Sequence, residues 1–203
     1  QTEEKFGLRQ IEIEGNQFLL NQKKLFLRGY GDDSVYPETL FAPADKREYS
    51  KRISEVKKWG FNHVRHHSHF LPDEYYQVCD QLGILIQPEL FIVYEQYYNK
   101  SKQNSKATEL YETVWKGLIK QHRNHPSIMS WCMGNELWDG FELADRLYKM
   151  AKKLDPTRPV IDSDGVAQWL EIGGADAWMS GQKDRDTLDY LVVNYRVRNT
   201  PLD

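Results

Sequence analysis

The chain alternates between short apolar runs and longer stretches in which apolar residues recur at helical spacing. Short apolar runs bounded by turn signals are typical of strands in a parallel sheet, which are buried on both faces. We find six candidate strands of this kind, near residues 26, 62, 85, 129, 160 and 191. Most of the segments between them carry a helical pattern. Strands that alternate with helices predict a parallel α/β architecture.

Local signals mark where the predicted helices begin and end. Asp45, with Glu48 three positions later, forms a capping box, and Gly60 ends the helix that follows. A second helix begins after Pro72 and ends at Gly83. Two further helices are predicted over about residues 107–122 and 141–154.

The first residues of the chain carry an antiparallel pattern instead. Residues 8–14 alternate as in a strand, and apolar triplets at 18–20 and 25–27 flank a polar turn, which predicts a hairpin. We assign residues 1–22 to a leading strand and hairpin, and residues 23–203 to one α/β domain. A (β/α)8 TIM barrel takes about 250 residues and eight strands, so six strands predict an incomplete barrel.

Charge and composition argue against two classes of partner, nucleic acids and membranes. With 27 basic and 30 acidic residues, the chain offers no general electrostatic attraction to nucleic acid or to an anionic membrane surface. No run approaches the roughly 18–20 consecutive apolar residues of a membrane helix. We therefore expect neither a nucleic acid nor a membrane as a partner. The two cysteines, Cys79 and Cys132, lie in apolar stretches and are expected to be buried and unpaired.

Polar residues follow the predicted strands, at the edge where parallel α/β barrels carry their catalytic groups. They include Asp32, residues 65–69, Glu89, Asn135 and Glu136. The Asn135-Glu136 pair is the strongest signal, because it ends an apolar strand and lies between Trp131 and Trp138. A carboxyl group in an aromatic pocket holds its proton more tightly, which suits a general acid near neutral pH. The asparagine amide can exchange hydrogen bonds with sugar hydroxyl groups.

Four segments of the chain match, in order, the motifs of one known enzyme family. Trp-Cys-Met-Gly-Asn-Glu at residues 131–136 resembles the acid/base motif of glycoside hydrolase family 2, which contains bacterial β-galactosidases, β-glucuronidases and β-mannosidases. Residues 60–65 resemble the second-strand signature of that family, and residues 75–85 resemble its following helix and strand. Residues 6–29 resemble its junction between a β-sandwich domain and the barrel. The likeness covers about residues 6–164.

The resemblance implies an activity and roles for particular residues. It implies hydrolysis of β-glycosidic bonds in a carbohydrate, with retention of configuration. We expect no cofactor. Carried over position by position, Glu136 would be the general acid/base, Asn135 would hold the 2-hydroxyl group of the sugar, and Arg65 would orient the nucleophile. Further residues expected to contact the substrate are His69, Glu89, Asp32 and Trp138.

The retaining mechanism also requires a second carboxylate, about 5 Å from the first. The resemblance implies that this carboxylate lies at the end of a seventh strand, whereas only six strands are predicted. We therefore expect the chain to be part of a longer enzyme and to be inactive alone. An open barrel leaves strand edges unpaired, which favours association with a second copy of the chain.

The sequence is also compatible with two other functions. His67 and His69 at a strand end would suit the metal pair of an amidohydrolase-type barrel, but no histidine follows His125 to complete such a site. His122 and His125 flank a helix end, where a cationic or capping histidine is expected. We therefore expect no metal site. An inert carbohydrate-binding fragment would use the aromatic residues, which make up 13% of the chain, without using the acid.

Overall fold

The first element of the fold is a three-stranded antiparallel sheet. The computed structural model describes Glu3 and residues 5–14, 17–92, 105–135 and 141–161. The sheet contains β1 (Ile11–Glu14), β2 (Gln17–Leu20) and β3 (Lys23–Leu25), in that order. Asn21 and Gln22 form the turn between β2 and β3 at φ 51° and 65°, the positive values that let a two-residue turn match the twist of its strands. The predicted hairpin is confirmed.

Parallel strands alternate with helices after this sheet. The strands are β4 (Gly29–Asp32), β5 (His63–His66), β6 (Leu85–Gln87), β7 (Trp131–Cys132) and β8 (Val160–Ile161). The helices are α1 (Lys46–Lys58), α2 (Asp73–Leu82), α3 (Ser105–His122) and α4 (Phe141–Leu154). Parallel pairing joins β4 to β5, β5 to β6 and β7 to β8, and single bridges from Ile86 to Ile128 and from Glu89 to Cys132 connect β6 with the β7 segment. Within the described ranges the strands thus form an arc of a (β/α) barrel that does not close.

The first parallel strand lies later in the chain than its predicted place near residue 26. Leu25 pairs with Phe18 in the hairpin, and β4 spans Gly29–Asp32. The hydrophobic pattern does not reveal β4, because Tyr30 is its only large apolar side chain and the strand therefore lacks an apolar run. The strands predicted near residues 62, 85, 129 and 160 correspond to β5, β6, β7 and β8, whereas the one near residue 191 lies outside the described residues.

Local signals determine the ends of α1 and α2, as predicted. Asp45 caps α1, and its side chain accepts a hydrogen bond of 2.9 Å from the backbone N–H of Arg47. α2 ends at Gly83, whose φ of 67° lies in the left-handed region that favours glycine. Trp59, which the helical spacing places on the apolar face of α1, is 81% exposed because it lies at the C-cap, beyond the last helical turn.

Two glycines provide a matched test of backbone strain. Gly83→Ala is expected to lower the free energy of unfolding by about 1–2 kcal/mol, because a residue with a Cβ atom is strained in the left-handed region. Gly117→Ala, inside α3 where an added Cβ would meet nothing within 4 Å, is expected to raise it by about 0.5–1 kcal/mol. Urea denaturation followed by circular dichroism measures both values, and equal effects of the two substitutions would contradict this account.

The main core lies between the parallel strands and the helices. Trp115 of α3 and Trp131 of β7 are fully buried and pack edge to face, with ring centroids 6.2 Å apart. Trp115 donates its indole N–H to the carbonyl oxygen of Leu147 at 3.0 Å, and Trp131 donates to Asp155 at 2.9 Å. These tryptophans hold α3 and α4 against the strand that precedes Asn135 and Glu136.

Two expectations drawn from composition can be compared with the fold. Cys79 and Cys132 are both buried, as predicted, and no disulfide bond joins them. Among the described residues, no helix combines the length and the apolar character needed to cross a membrane.

Candidate active site

Three polar side chains converge at the carboxyl ends of neighbouring strands. Arg65 lies on β5, Glu89 follows the end of β6 by two residues, and Asn135 follows β7. Arg65 is paired in register with Gln87. Because side chains alternate along a strand, Glu89 lies on the same face of the sheet as Gln87 and Arg65. Parallel α/β barrels carry their catalytic groups at this edge.

The Arg65 guanidinium group connects the other two residues. Its Nε donates to Glu89 Oε2 at 2.9 Å and its Nη2 donates to Glu89 Oε1 at 3.2 Å, which is the forked geometry of a strong ion pair. The same Nη2 donates to Asn135 Oδ1 at 2.6 Å. Glu89 is fully buried and Arg65 has a side chain that is 20% exposed. The arginine therefore links a buried carboxylate to the amide that directly precedes Glu136.

Ser68 completes the environment of Glu89. Its backbone N–H and its hydroxyl group both donate to Glu89 Oε1, at 2.9 and 3.1 Å. Ser68 adopts a φ of 57°, so the turn after β5 bends its backbone N–H towards the carboxylate. Ser68 belongs to the polar residues 65–69 at the strand end, but its hydrogen bonds to Glu89 could not be predicted, because a left-handed turn at a serine leaves no mark in the hydrophobic pattern.

Asn135 is held firmly at the end of β7. It is 7% exposed, and its backbone N–H donates to the carbonyl oxygen of Ile92 at 2.8 Å. Because its side-chain Oδ1 accepts from Arg65, the orientation of the amide is defined, and Nδ2 is the group that can donate to a ligand. A donor held in this way suits recognition of a hydroxyl oxygen.

The other predicted site residues lie in different surroundings. His69 stacks on the ring of His66, with centroids 4.8 Å apart, and its Nδ1 lies 3.1 Å from the carbonyl oxygen of His67. Asp32 is paired in register with His66, so it lies on the opposite face of the sheet from Arg65. Its carboxylate accepts from the backbone N–H of Ser34 at 2.8 Å. Asp32 is therefore not part of the cluster around Arg65, and its contact with substrate stays a prediction.

Glu136 and Trp138, the predicted general acid/base and one of the predicted substrate contacts, lie outside the described residues. Their sequence neighbour Asn135 is described, and it ends in the cluster of Arg65 and Glu89. The described part of the candidate site is thus the cluster of Arg65, Glu89 and Asn135, the last of which directly precedes Glu136 in the sequence.

His66 lies behind this cluster, on the face of β5 that packs against the helices. It is fully buried against Tyr75, with ring centroids 5.0 Å apart, and neither of its ring nitrogens has a hydrogen-bond partner among the described residues. Burial lowers the pKa of His66 well below its usual value, and the nearby rings of His69 and His63 act in the same direction. The folded protein therefore holds this ring in its neutral form.

This buried ring predicts a dependence of stability on pH. As the pH falls through 6.5, the usual pKa of histidine, the unfolded chain takes up a proton at His66 and the folded chain does not, so acid favours unfolding. We expect the wild-type chain to lose stability relative to a His66→Phe variant between about pH 7.5 and about pH 5. Urea denaturation at several pH values measures the difference, and parallel curves for the two proteins would exclude this role of His66.

The histidines considered as an alternative metal pair have other contacts. His67 Nδ1 lies 2.7 Å from Asp33 Oδ1, and His69 packs on His66 as described above. In the part of the chain that the structure describes, neither His67 nor His69 belongs to a group of three potential metal ligands. Such a group does occur at Asp73, His122 and His125, at the start of α2 and around the end of α3.

Comparisons with known proteins support the TIM-barrel fold and identify a family. The family model for the TIM barrel domain of glycosyl hydrolases family 2 matches residues 11–198. A β-galactosidase from Pectobacterium atrosepticum is 32% identical over 165 residues, which cover 79% of this chain and 16% of that protein. The chain therefore spans about one sixth of the length of this relative.

Solved structures of family 2 enzymes also superpose on this chain. A family 2 β-galacturonidase from Eisenbergiella tayi, bound to galacturonate, superposes with a TM-score of 0.70 and 27% identity, covering 80% of this chain and 30% of that one. The β-glucuronidase of Parabacteroides merdae has a TM-score of 0.69 and 25% identity, covering 77% of this chain and 20% of that one. With the family model matching most of its length, the chain belongs to glycosyl hydrolase family 2, and its parallel strands are part of the TIM barrel domain.

Proposed function

We propose that the protein hydrolyses β-glycosidic bonds of a carbohydrate with retention of configuration, and that Glu136 is its general acid/base. The observation that carries the proposal is the 2.6 Å hydrogen bond from Arg65 to Asn135, which fixes the residue preceding Glu136 at the carboxyl edge of the barrel strands. Membership of glycosyl hydrolase family 2 supports the same class of reaction. The β-galactosidase and β-glucuronidase names of the relatives support a β-glycoside as substrate.

Glu136 would act twice in this reaction. In the first step it donates its proton to the glycosidic oxygen while a second carboxylate attacks the anomeric carbon. The bond from this carbon to the glycosidic oxygen breaks, the leaving group departs as an alcohol, and the sugar becomes covalently attached to the enzyme. In the second step the ionised Glu136 removes a proton from a water molecule, and the resulting hydroxide displaces the carboxylate. Each step inverts the anomeric centre, which gives net retention.

Arg65 is proposed to orient the second carboxylate. Its bonds to Glu89 hold the guanidinium group in one position, because Glu89 is itself held by the two donors of Ser68. Glu89 is a poor choice for the nucleophile, since its two oxygens accept four hydrogen bonds and form an ion pair with Arg65. We therefore assign Glu89 the role of positioning Arg65.

Asn135 is proposed to donate Nδ2–H to the 2-hydroxyl oxygen of the sugar. Hydrogen bonds to this hydroxyl group strengthen in the transition state of glycoside hydrolysis, so a preoriented amide contributes more there than in the ground state. His69 and Trp138 are proposed to line the sugar subsite, where the flat face of an indole suits the apolar face of a sugar ring.

The identity of the sugar is tested directly on the complete gene product that contains this chain. The panel consists of 4-nitrophenyl β-galactoside, β-glucuronide, β-galacturonide and β-mannoside, with the α-galactoside and α-glucuronide as matched controls. We expect cleavage of at least one β-glycoside and of neither α-glycoside. Cleavage restricted to the uronides would require a cationic group other than Arg65, because the charge of Arg65 is already paired with Glu89.

The stereochemical outcome tests the mechanism. Proton NMR of the first turnovers is expected to show the β-anomer of the released sugar before mutarotation forms the α-anomer. If the α-anomer appears first, the enzyme is inverting and the proposed covalent intermediate does not form.

A further inference from the structure

A group of three potential metal ligands lies at the outer layer of the barrel. Asp73 begins α2, His122 ends α3, and His125 lies in the turn that leads to β7. Asp73 Oδ1 lies 2.9 Å from His125 Nε2 and 3.9 Å from His122 Nδ1, and the three ligand atoms all lie within 4.8 Å of one another. We propose that Asp73, His122 and His125 bind one divalent transition-metal ion of the zinc class, independently of the glycosidase site.

His122 supplies the first reason to expect an ion. It is 2% exposed, and its Nδ1 has no hydrogen-bond partner among the described residues. The distance of 3.9 Å to Asp73 is too long for a hydrogen bond. A buried polar atom without a partner is unfavourable. Coordination of an ion between Asp73 and His125 would satisfy this nitrogen.

His125 supplies the second reason, because it is held as metal-binding histidines are held. Its Nδ1 lies 2.7 Å from Asp80 Oδ2, while its Nε2 faces Asp73. A histidine that binds a metal through one nitrogen commonly donates the other N–H to a carboxylate, which fixes the ring and its tautomer. Asp80 is itself fixed, since its Oδ1 accepts from the backbone N–H of Ser127 at 2.9 Å.

Asp73 is also oriented by its surroundings. Its second oxygen, Oδ2, accepts a short hydrogen bond from the side-chain amide of Gln77, one helical turn further along α2. Oδ1 is therefore the oxygen directed towards the two histidines. Two imidazoles and one carboxylate form a donor set that zinc accepts, and zinc bonds of 2.0–2.2 Å place neighbouring ligand atoms about 3.4 Å apart. To reach that value, the 2.9 Å between Asp73 Oδ1 and His125 Nε2 would lengthen and the 3.9 Å between Asp73 Oδ1 and His122 Nδ1 would shorten.

An ion can reach the site, and its charge can be balanced there. A cleft of about 490 Å³ is lined by Asp73, Gln77, Asp80 and His125, among others, and opens to solvent. Water from this cleft would occupy the fourth position of a tetrahedral zinc. The carboxylates of Asp73 and Asp80 together balance the two positive charges of the ion. The bound ion would tie α2 to the turn between α3 and β7, so it would stabilise the outer helices against each other.

The test is calorimetric titration of the full chain with Zn²⁺ alone, after chelator treatment and dialysis. We expect one ion per chain, half-saturation at about 10 µM or below, and a higher midpoint of thermal unfolding when zinc is present. Asp73→Asn and His122→Ala are each expected to weaken binding by at least about tenfold, and Asp80→Asn by about 10–100-fold. His67→Ala is the matched control, because it removes a histidine that lies outside the group.

Each outcome of this titration is decisive. Unchanged affinity in His67→Ala together with the losses in Asp73→Asn and His122→Ala supports the site. Absence of saturable binding up to about 1 mM Zn²⁺, or binding that survives both Asp73→Asn and His122→Ala, overturns it. Loss of binding in His67→Ala alone overturns it as well. If His122→Ala does not fold by circular dichroism, Asp73→Asn decides, since Asp73 is 39% exposed and its substitution preserves the shape of the side chain.

Discussion

Replacing Glu136 with Gln is expected to lower kcat/KM for glycosides with poor leaving groups by about 100-fold to 10,000-fold. Glutamine keeps the size of the side chain but cannot donate the proton that an alkoxide leaving group needs. Aryl glycosides such as the 4-nitrophenyl compounds leave without protonation, so their first step is expected to be much less impaired. The measurement is a series of substrates with one sugar and leaving groups of increasing pKa, assayed with the complete gene product.

The dependence of kcat/KM on the pKa of the leaving group distinguishes loss of the proton donor from a general loss of activity. The control is Glu55→Gln, which replaces an exposed carboxylate on α1 and is expected to leave every substrate unaffected. Equal losses for aryl and alkyl glycosides in Glu136→Gln would show that the residue does not protonate the leaving group. Unchanged rates for both would require another residue as the acid.

Glu89→Gln is expected to lower the free energy of unfolding by about 3–5 kcal/mol, because it removes a buried carboxylate that forms an ion pair with the partly buried Arg65. The amide that replaces one carboxylate oxygen would also place a donor opposite the donors of Ser68 or Arg65. Urea denaturation of the chain should show a lower midpoint with an unchanged slope, which identifies a change in stability rather than in the unfolded state.

A matched substitution on a more exposed ion pair is the control. Glu112 pairs with Arg146, and their side chains are 28% and 50% exposed, so Glu112→Gln is expected to change stability by less than about 1 kcal/mol. The double variant with Glu89→Leu and Arg65→Met should recover part of the stability lost in Glu89→Gln, since both charges of this ion pair are removed together. If Glu89→Gln and Glu112→Gln lowered the free energy of unfolding equally, burial of the Glu89–Arg65 pair would not increase its contribution to stability.

The sequence by itself determined the elements whose signals are local. The cap at Asp45 and the left-handed Gly83 act on backbone groups within a few positions, so the ends of α1 and α2 can be read directly from the chain. The alternation of strands and helices likewise predicted the barrel class, and the motif around Asn135 and Glu136 predicted the family. β4 shows where local signals fail: one apolar side chain in four residues does not identify a strand that is held by pairing with β5.

The tertiary structure decided which distant residues meet. Arg65 lies 24 positions from Glu89 and 70 positions from Asn135, yet the three share one hydrogen-bond network, because parallel pairing brings the carboxyl ends of β5, β6 and β7 to one edge. Asp73 and His125 are 52 positions apart and belong to separate helical units. Neither of these long-range contacts produces a periodic pattern in the sequence. Each depends on how helices and strands pack, and not on the order of neighbouring residues.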